Sequence, residues 1–258
     1  MLDLAILKQN FPPNTHQDEQ SILREYLQCH VLKSIFSSNQ ASKLVFIGGT
    51  ALRIVYQTQR FSEDLDFDNK GLSIEDWTSI GDKIVYDLSK LGFKLEITKT
   101  RLNDTVFHHN IKFLELLFHY GISGHINQKL MIKVDSENQG IEYNYDSFDL
   151  NRFDVRSKIK VMPIDIALSQ KFRAFFDRAM GRDLFDISSL ISRTKPNYNY
   201  LKQALGINEP AELKSRVLAR CDELELADLE KRALPFLFNK DDLNRIKFFK
   251  DEMQQYEF

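Results

Sequence analysis

The chain is short of cysteine and tryptophan, of any long apolar run, and of an excess of either charge. Two cysteines, Cys29 and Cys221, occur among 258 residues. They lie far apart and no cysteine or histidine spacing suits zinc, which argues against a disulfide scaffold and a structural zinc finger. That usage fits a reducing compartment, so a cytoplasmic location is expected. No apolar stretch approaches the ~20 residues of a membrane span. The start, Met1-Leu2-Asp3-Leu4, has neither the charged leader nor the cleavage site of a signal peptide. Lys+Arg number 35 against 37 Asp+Glu, a net charge of −2. Any nucleic acid must therefore be met by a local basic patch rather than by a global field. Internal repeats, low-complexity segments, a Gly-x-Ser-x-Gly elbow, a Walker A motif and a Rossmann fingerprint are all missing.

What is present is ordinary globular material. Hydrophobic residues are 43% and charged residues 28%, which excludes disordered and collagen-like classes. Twenty phenylalanines beside one tryptophan imply a Phe-rich core. The length suits one large domain, or a catalytic domain with an appended helical part.

Periodicity gives the coarse order of elements. Residues 1–42 read as helical, interrupted at Phe11-Pro12-Pro13. Ile22, Leu23, Tyr26, Leu27, Val31, Leu32 and Ile35 recur at helical steps, as on an amphipathic helix. The run Lys43-Leu44-Val45-Phe46-Ile47 predicts a buried strand, and the turn Gly48-Gly49 leads into a helix. Residues 60–68 alternate as a strand. A helix follows from Ser73 to about Leu91, with Glu75 and Asp76 in its first turn and Gly92 as its stop. Strands are expected at 93–98, 111–118, 130–135 and 154–161. A helix then runs from Pro163 to about Met180, and helices fill the remainder. The reading is α+β: a mixed sheet flanked by helices over residues 1–162, then a helical part over 163–258.

The most informative stretch is Ser62-Glu63-Asp64-Leu65-Asp66-Phe67-Asp68. On a strand Asp64, Asp66 and Asp68 share one face, and Leu65 and Phe67 the other. Aligned carboxylates repel, and strands disfavour Asp. A divalent cation offsets that; Mg²⁺ takes oxygen ligands, commonly one or two carboxylates plus substrate phosphates. The competing reading is a solvated edge strand whose charges block aggregation. Upstream, Ile47-Gly48-Gly49-Thr50-Ala51-Leu52 forms a strand, a tight turn and a helix start. Glycines admit close approach of a phosphate, helix-start N–H groups bind anions, and the Thr50 hydroxyl adds a donor. Glycine at such a turn also serves geometry alone. A phosphate cradle followed closely by paired carboxylates supplies both halves of a nucleotide–metal site.

These residues carry a family resemblance. Gly48-Gly49-Thr50-Ala51-Leu52-Arg53 followed by Arg60-Phe61-Ser62-Glu63-Asp64-Leu65-Asp66-Phe67 resembles the signature of the AbiEii-type nucleotidyltransferases. These belong to the DNA polymerase β-like nucleotidyltransferase superfamily. They are toxins of bacterial toxin–antitoxin and phage-defence (abortive infection) systems. The resemblance implies a glycine turn that binds the triphosphate, an Asp-x-Asp strand that binds metal ions, and a third carboxylate on a later strand. Lys133-Val134-Asp135 matches that later motif, so Asp135 is expected to bind metal and to act as a base toward the attacking hydroxyl. By its own chemistry it also reads as a charged strand end before Ser136-Glu137-Asn138. Glu137 is a weaker substitute.

Two further motifs follow in the family's order. Asp165-Ile166-Ala167-Leu168-Ser169-Gln170-Lys171-Phe172-Arg173-Ala174 resembles the helix in which an acidic residue precedes an essential lysine. By resemblance Lys171 contacts the nucleotide's phosphates; otherwise a lysine bordering an apolar stripe snorkels to water. Arg182-Asp183-Leu184-Phe185-Asp186 resembles the family's Arg-Asp-x-x-Asp element, with Asp183 as the functional acid and Asp186 in support. A capped helix start explains the same residues structurally. One departure stands out, since many relatives carry Gly-Ser where this chain has Gly49-Thr50.

The resemblance implies a nucleotidyltransferase that uses an NTP and Mg²⁺. Its acceptor would be the 3′ end of tRNA, or a protein or small-molecule hydroxyl, and its toxicity would call for a cognate antitoxin. The alternative is an inactive nucleotide-binding or docking module on the same fold. His108, His109, His119 and His125 do not form a ligand cluster by spacing, because adjacent histidines on a strand face opposite sides.

Overall fold

The computed structural model describes residues 1–101 and 106–258. The chain divides into two compact units. The first comprises Met1–Ala51, Phe61–Gly140 and Tyr145–Val161; the second comprises Leu52–Arg60, Ile141–Asn144 and Met162–Phe258.

The first unit opens with α1 (Leu4–Lys8) and, past the two prolines, α2 (Glu19–Phe36). There follow β1 (Leu44–Ile47), α3 (Gly48–Ile54, whose residues 52–54 fall in the second unit), β2 (Leu65–Asn69) and α4 (Ile74–Lys90). Then come β3 (Leu95–Arg101), β4 (Val106–Phe113), α5 (Leu116–His119), β5 (Leu130–Glu137), β6 (Asp146–Arg152) and β7 (Val155–Val161). The strands form a seven-stranded mixed sheet in the order β3-β4-β5-β2-β1-β7-β6. Pairs β2·β5 and β1·β7 are parallel, and the other neighbours are antiparallel. The α+β architecture inferred from the sequence is the one found.

Alternation explains the sheet's buried face. Leu65 and Phe67 on β2, Phe107, His109, Ile111 and Phe113 on β4, and Leu130, Ile132 and Val134 on β5 are all buried. The helix α4 covers part of that face. It starts at a capping box between Ser73 and Asp76, which satisfies two backbone N–H groups. Its Trp77 stacks on His109 with ring centroids 4.3 Å apart and on Phe107 at 5.9 Å. In contrast to the amphipathic expectation, α2 is buried nearly all round, and its polar Glu25, Gln28, His30 and Ser34 are buried with its apolar residues.

Two expected strands are corrected and one strand is added. The acidic strand starts at Leu65 rather than Arg60, so Asp64 precedes the ladder. The strand expected at 111–118 lies at Val106–Phe113, and Leu116–His119 is a short helix behind Glu115, whose φ is +59°. The strand β6 was not foreseen; it is a mostly exposed edge strand that fully buries only Leu150.

The second unit is helical: α6 (Ile164–Asp177), α7 (Gly181–Ile191), α8 (Tyr198–Leu205), α9 (Pro210–Cys221), α10 (Leu226–Ala233), α11 (Asn244–Lys247) and α12 (Phe249–Gln255). Its core includes Leu168, Phe172, Phe175, Leu184, Ile187, Leu190, Leu201 and Phe249. Gly181 begins α7. A Cβ there would lie 2.2 Å from the Leu229 carbonyl oxygen, so α10 can approach α7 only across a glycine. Among the described residues no helix is long and apolar enough to cross a membrane.

Candidate active site

The glycine turn and the acidic strand meet in the first unit. Antiparallel pairing of β1 with β2 sets Ile47 opposite Asp66. Gly48, the next residue, adopts φ +77°, and a Cβ on it would stand 2.1 Å from Asp66 Oδ2. The left-handed backbone favours glycine, and the Asp66 carboxylate fills the space a side chain would need. Asp66 therefore faces the turn, as a nucleotide–metal site requires.

Thr50 closes the other side. It is buried, and its hydroxyl donates to the Asp64 carbonyl oxygen at 2.5 Å. The hydroxyl expected to meet phosphate instead ties the turn to the approach of β2. The N–H groups of Gly48, Gly49 and Thr50 begin α3, where the first N–H groups of a helix have no partner within it. Gln28 on α2 holds the same approach, donating to the carbonyls of Ser62 at 3.1 Å and Glu63 at 2.9 Å. Arg24 adds an ion pair to Glu63 at 3.1 Å. The roles of Gln28 and Arg24 were not read from the sequence; the available signal was polar residues within an apolar helical stripe.

The parallel pairing of β2 with β5 sets Asp66 opposite Asp135, so the two carboxylates share one face. On the far side of β5, antiparallel β4 sets His108 opposite Asp135, and His108 Nδ1 lies 2.6 Å from Asp135 Oδ1. One row across the sheet thus reads Asp66, Asp135, His108. Asp68, two residues along from Asp66, is fully buried and engaged by Lys70 at 3.1 Å and by the Gln139 N–H at 3.0 Å. Glu137 is exposed at the end of β5.

The remaining candidates form a charged core in the second unit. Asp183 Oδ1 lies 3.2 Å from Lys171 Nζ, and Asp186 Oδ2 lies 2.8 Å from the same nitrogen. Arg60 grips Asp186 with two bonds, Nε to Oδ1 and Nη2 to Oδ2, each 2.7 Å. Arg178 Nε reaches Asp183 at 3.1 Å. Arg60, Lys171, Asp183 and Asp186 are all buried. Burial pushes the Asp183 carboxyl up, but Lys171 and Arg178 outweigh it and hold the group at about 2. Burial likewise opposes ionisation of Asp186, and Arg60 followed by Lys171 brings it below the usual range. Asp165 accepts from Asn197 Nδ2 at 2.8 Å, and Asn197 caps α8 by accepting from the Tyr200 N–H. Asp165 therefore braces α6 against the start of α8.

The donor set fits a hard divalent cation. Asp64, Asp66 and Asp135 offer only carboxylate oxygens, and Asp66 is held beside the glycine turn. Among the described residues no three metal-ligating groups converge into a cage. Mg²⁺ does not require one, since it is commonly held by one or two carboxylates with substrate phosphates completing its shell.

The family described as "Nucleotidyl transferase AbiEii toxin, Type IV TA system" matches residues 30–256. The chain belongs to that family. Its fold is also that of solved structures, a nucleotidyltransferase toxin among them. JHP933 from Helicobacter pylori is 17% identical, with a TM-score of 0.55 over 92% of this chain and 94% of that one. MenT4, a nucleotidyltransferase toxin from Mycobacterium tuberculosis, is 17% identical, with a TM-score of 0.52 over 98% of this chain and 99% of that one. At that identity the likeness is one of fold. No curated protein matches this AbiEii-family chain.

Proposed function

We propose that this AbiEii-family chain transfers a nucleoside monophosphate from an NTP to a hydroxyl at the 3′ end of tRNA, as the toxin of a toxin–antitoxin system acting in phage defence. The observation that carries this reading is the placement of Asp66 against Gly48 and opposite Asp135. It puts a glycine turn at a helix start and two carboxylates together.

In this reading the backbone N–H groups of Gly48, Gly49 and Thr50 cradle the phosphates. Asp64, Asp66 and Asp135 would hold Mg²⁺. When bound, the ion would neutralise charge at the α-phosphate and favour ionisation of the attacking hydroxyl. The acceptor oxygen attacks the α-phosphorus, the α–β anhydride bond breaks and pyrophosphate leaves. Asp135 takes the hydroxyl proton. Lys171 is assigned to the phosphates, with Asp183 as the functional acid that fixes its ammonium and Asp186 in support. The reading implies a cytoplasmic site of action and a cognate antitoxin. A protein or small-molecule hydroxyl as acceptor requires the same core chemistry.

Sequencing RNA 3′ ends from cells expressing the protein tests the acceptor. Untemplated nucleotides on tRNA, absent with Asp66→Ala, are the expected result. Unchanged tRNA ends together with a labelled protein or small molecule would reassign the acceptor.

A further inference from the structure

The sequence offers His108 only as one of two adjacent histidines on opposite faces of a strand. The structure gives each a separate task. His109 is fully buried, stacked on Trp77, with Nε2 2.9 Å from the Trp77 carbonyl oxygen. That contact pins β4, because a slip of one residue would exchange the two faces. With the register fixed, His108 lands opposite Asp135.

The contact is short and directional, with Nδ1 2.6 Å from Oδ1. An ionised carboxylate only accepts, so Nδ1 carries the proton and donates. The Asp135 side chain is 35% exposed, so packing alone does not set its orientation. A donor fixed on one oxygen decides which oxygen remains for other work. Carboxylates that hold metals are characteristically oriented by such hydrogen bonds from neighbouring residues.

We infer that His108 is a positioning residue: its Nδ1–H holds Asp135 Oδ1 and so sets the oxygen that Asp135 presents to the cation and the acceptor hydroxyl. This rests on the assignment of Asp135 as the third carboxylate. His108 touches neither nucleotide nor acceptor in this scheme and acts only through Asp135.

The test compares the full-length wild type with His108→Ala, His108→Phe, His108→Asn and Asp135→Ala. Asparagine carries an amide N–H near the place of Nδ1, whereas phenylalanine keeps a ring without a donor and stands in should the alanine variant fold poorly. Calorimetric binding of Mn²⁺ alone gives a readout independent of turnover; kcat and KM for transfer of labelled nucleotide give the second. His108→Ala and His108→Phe are expected to weaken Mn²⁺ binding and lower kcat by roughly 10- to 100-fold, with KM for the NTP nearly unchanged. His108→Asn is expected to recover most of both. Wild-type behaviour of the donor-less variants, with Asp135→Ala inactive, would overturn the role of His108 and leave that of Asp135 standing. Full activity and Mn²⁺ binding in Asp135→Ala would remove the assignment on which the inference rests. An asparagine variant no better than alanine would also overturn it, since the hydrogen bond would then not be what matters.

Discussion

Asp66 and Asp135 stand opposite one another in adjacent parallel strands. Neighbouring strands lie about 5 Å apart, and two like charges at that spacing repel by about 3 kcal/mol at an effective dielectric near 20. A cation bound by the pair would relieve the repulsion and would stabilise the fold by mass action. Mg²⁺ at 100 times its Kd is expected to add about 3 kcal/mol to the wild type and little to Asp66→Ala. Denaturant melts with and without Mg²⁺ measure the difference; equal gains in both proteins would place the ion elsewhere.

Gly48 tolerates no side chain. Its φ is +77°, and a Cβ would meet Asp66 Oδ2 at 2.1 Å. Gly48→Ala is expected to destabilise the protein by about 1–3 kcal/mol through overpacking. By displacing Asp66 it should also abolish nucleotide transfer. Chemical denaturation and a labelled-NTP assay check the two effects; an active, fully stable alanine variant would contradict the tight approach.

The Thr50 hydroxyl bonds the Asp64 carbonyl from a buried position. Thr50→Val leaves that carbonyl without its side-chain partner and is expected to cost about 1–3 kcal/mol. Thr50→Ser keeps the hydroxyl and should remain near wild type. Thermal melts of the pair decide it, because a purely steric role for Thr50 would make valine the milder change.

The first half of the site is legible in the sequence because its signals are local. The apolar run Leu44-Val45-Phe46-Ile47, the two glycines and the Leu65/Phe67 alternation each fix their own element. The overlong acidic strand has a physical reason. Alternation continues back to Arg60, but Gln28 takes the carbonyls of Ser62 and Glu63, and Thr50 takes that of Asp64. Side chains thus satisfy backbone groups that a ladder would have used. The His108–Asp135 pair depends on strand register across 27 positions, and the Arg60–Asp186 pair joins residues 126 apart. No local pattern encodes either. The edge strand β6 has scant apolar alternation to mark it, because it buries little.

The charged core of the second unit sets a pH dependence. The folded Asp183 carboxyl, at about 2, lies below its ordinary value of 3.8. Its contribution is therefore complete above about pH 4 and is lost as pH falls through about 2. Asp186 acts in the same direction. For Asp183 the loss is on the order of 2 kcal/mol, visible as a falling denaturation midpoint that Asp183→Asn should flatten. Removing one partner of the buried Arg60–Asp186 pair, as in Arg60→Ala, is expected to cost about 3–5 kcal/mol at neutral pH. Wild-type stability in that variant would contradict the pairing.

The most direct measurement incubates the wild type and Asp66→Ala with each labelled NTP, Mg²⁺ and total tRNA. Labelled tRNA is expected from the wild type with one or more NTPs, none from Asp66→Ala, and none from the wild type in EDTA. Nucleotide binding by the wild type with no label transferred to any acceptor would identify a binding module instead of an enzyme.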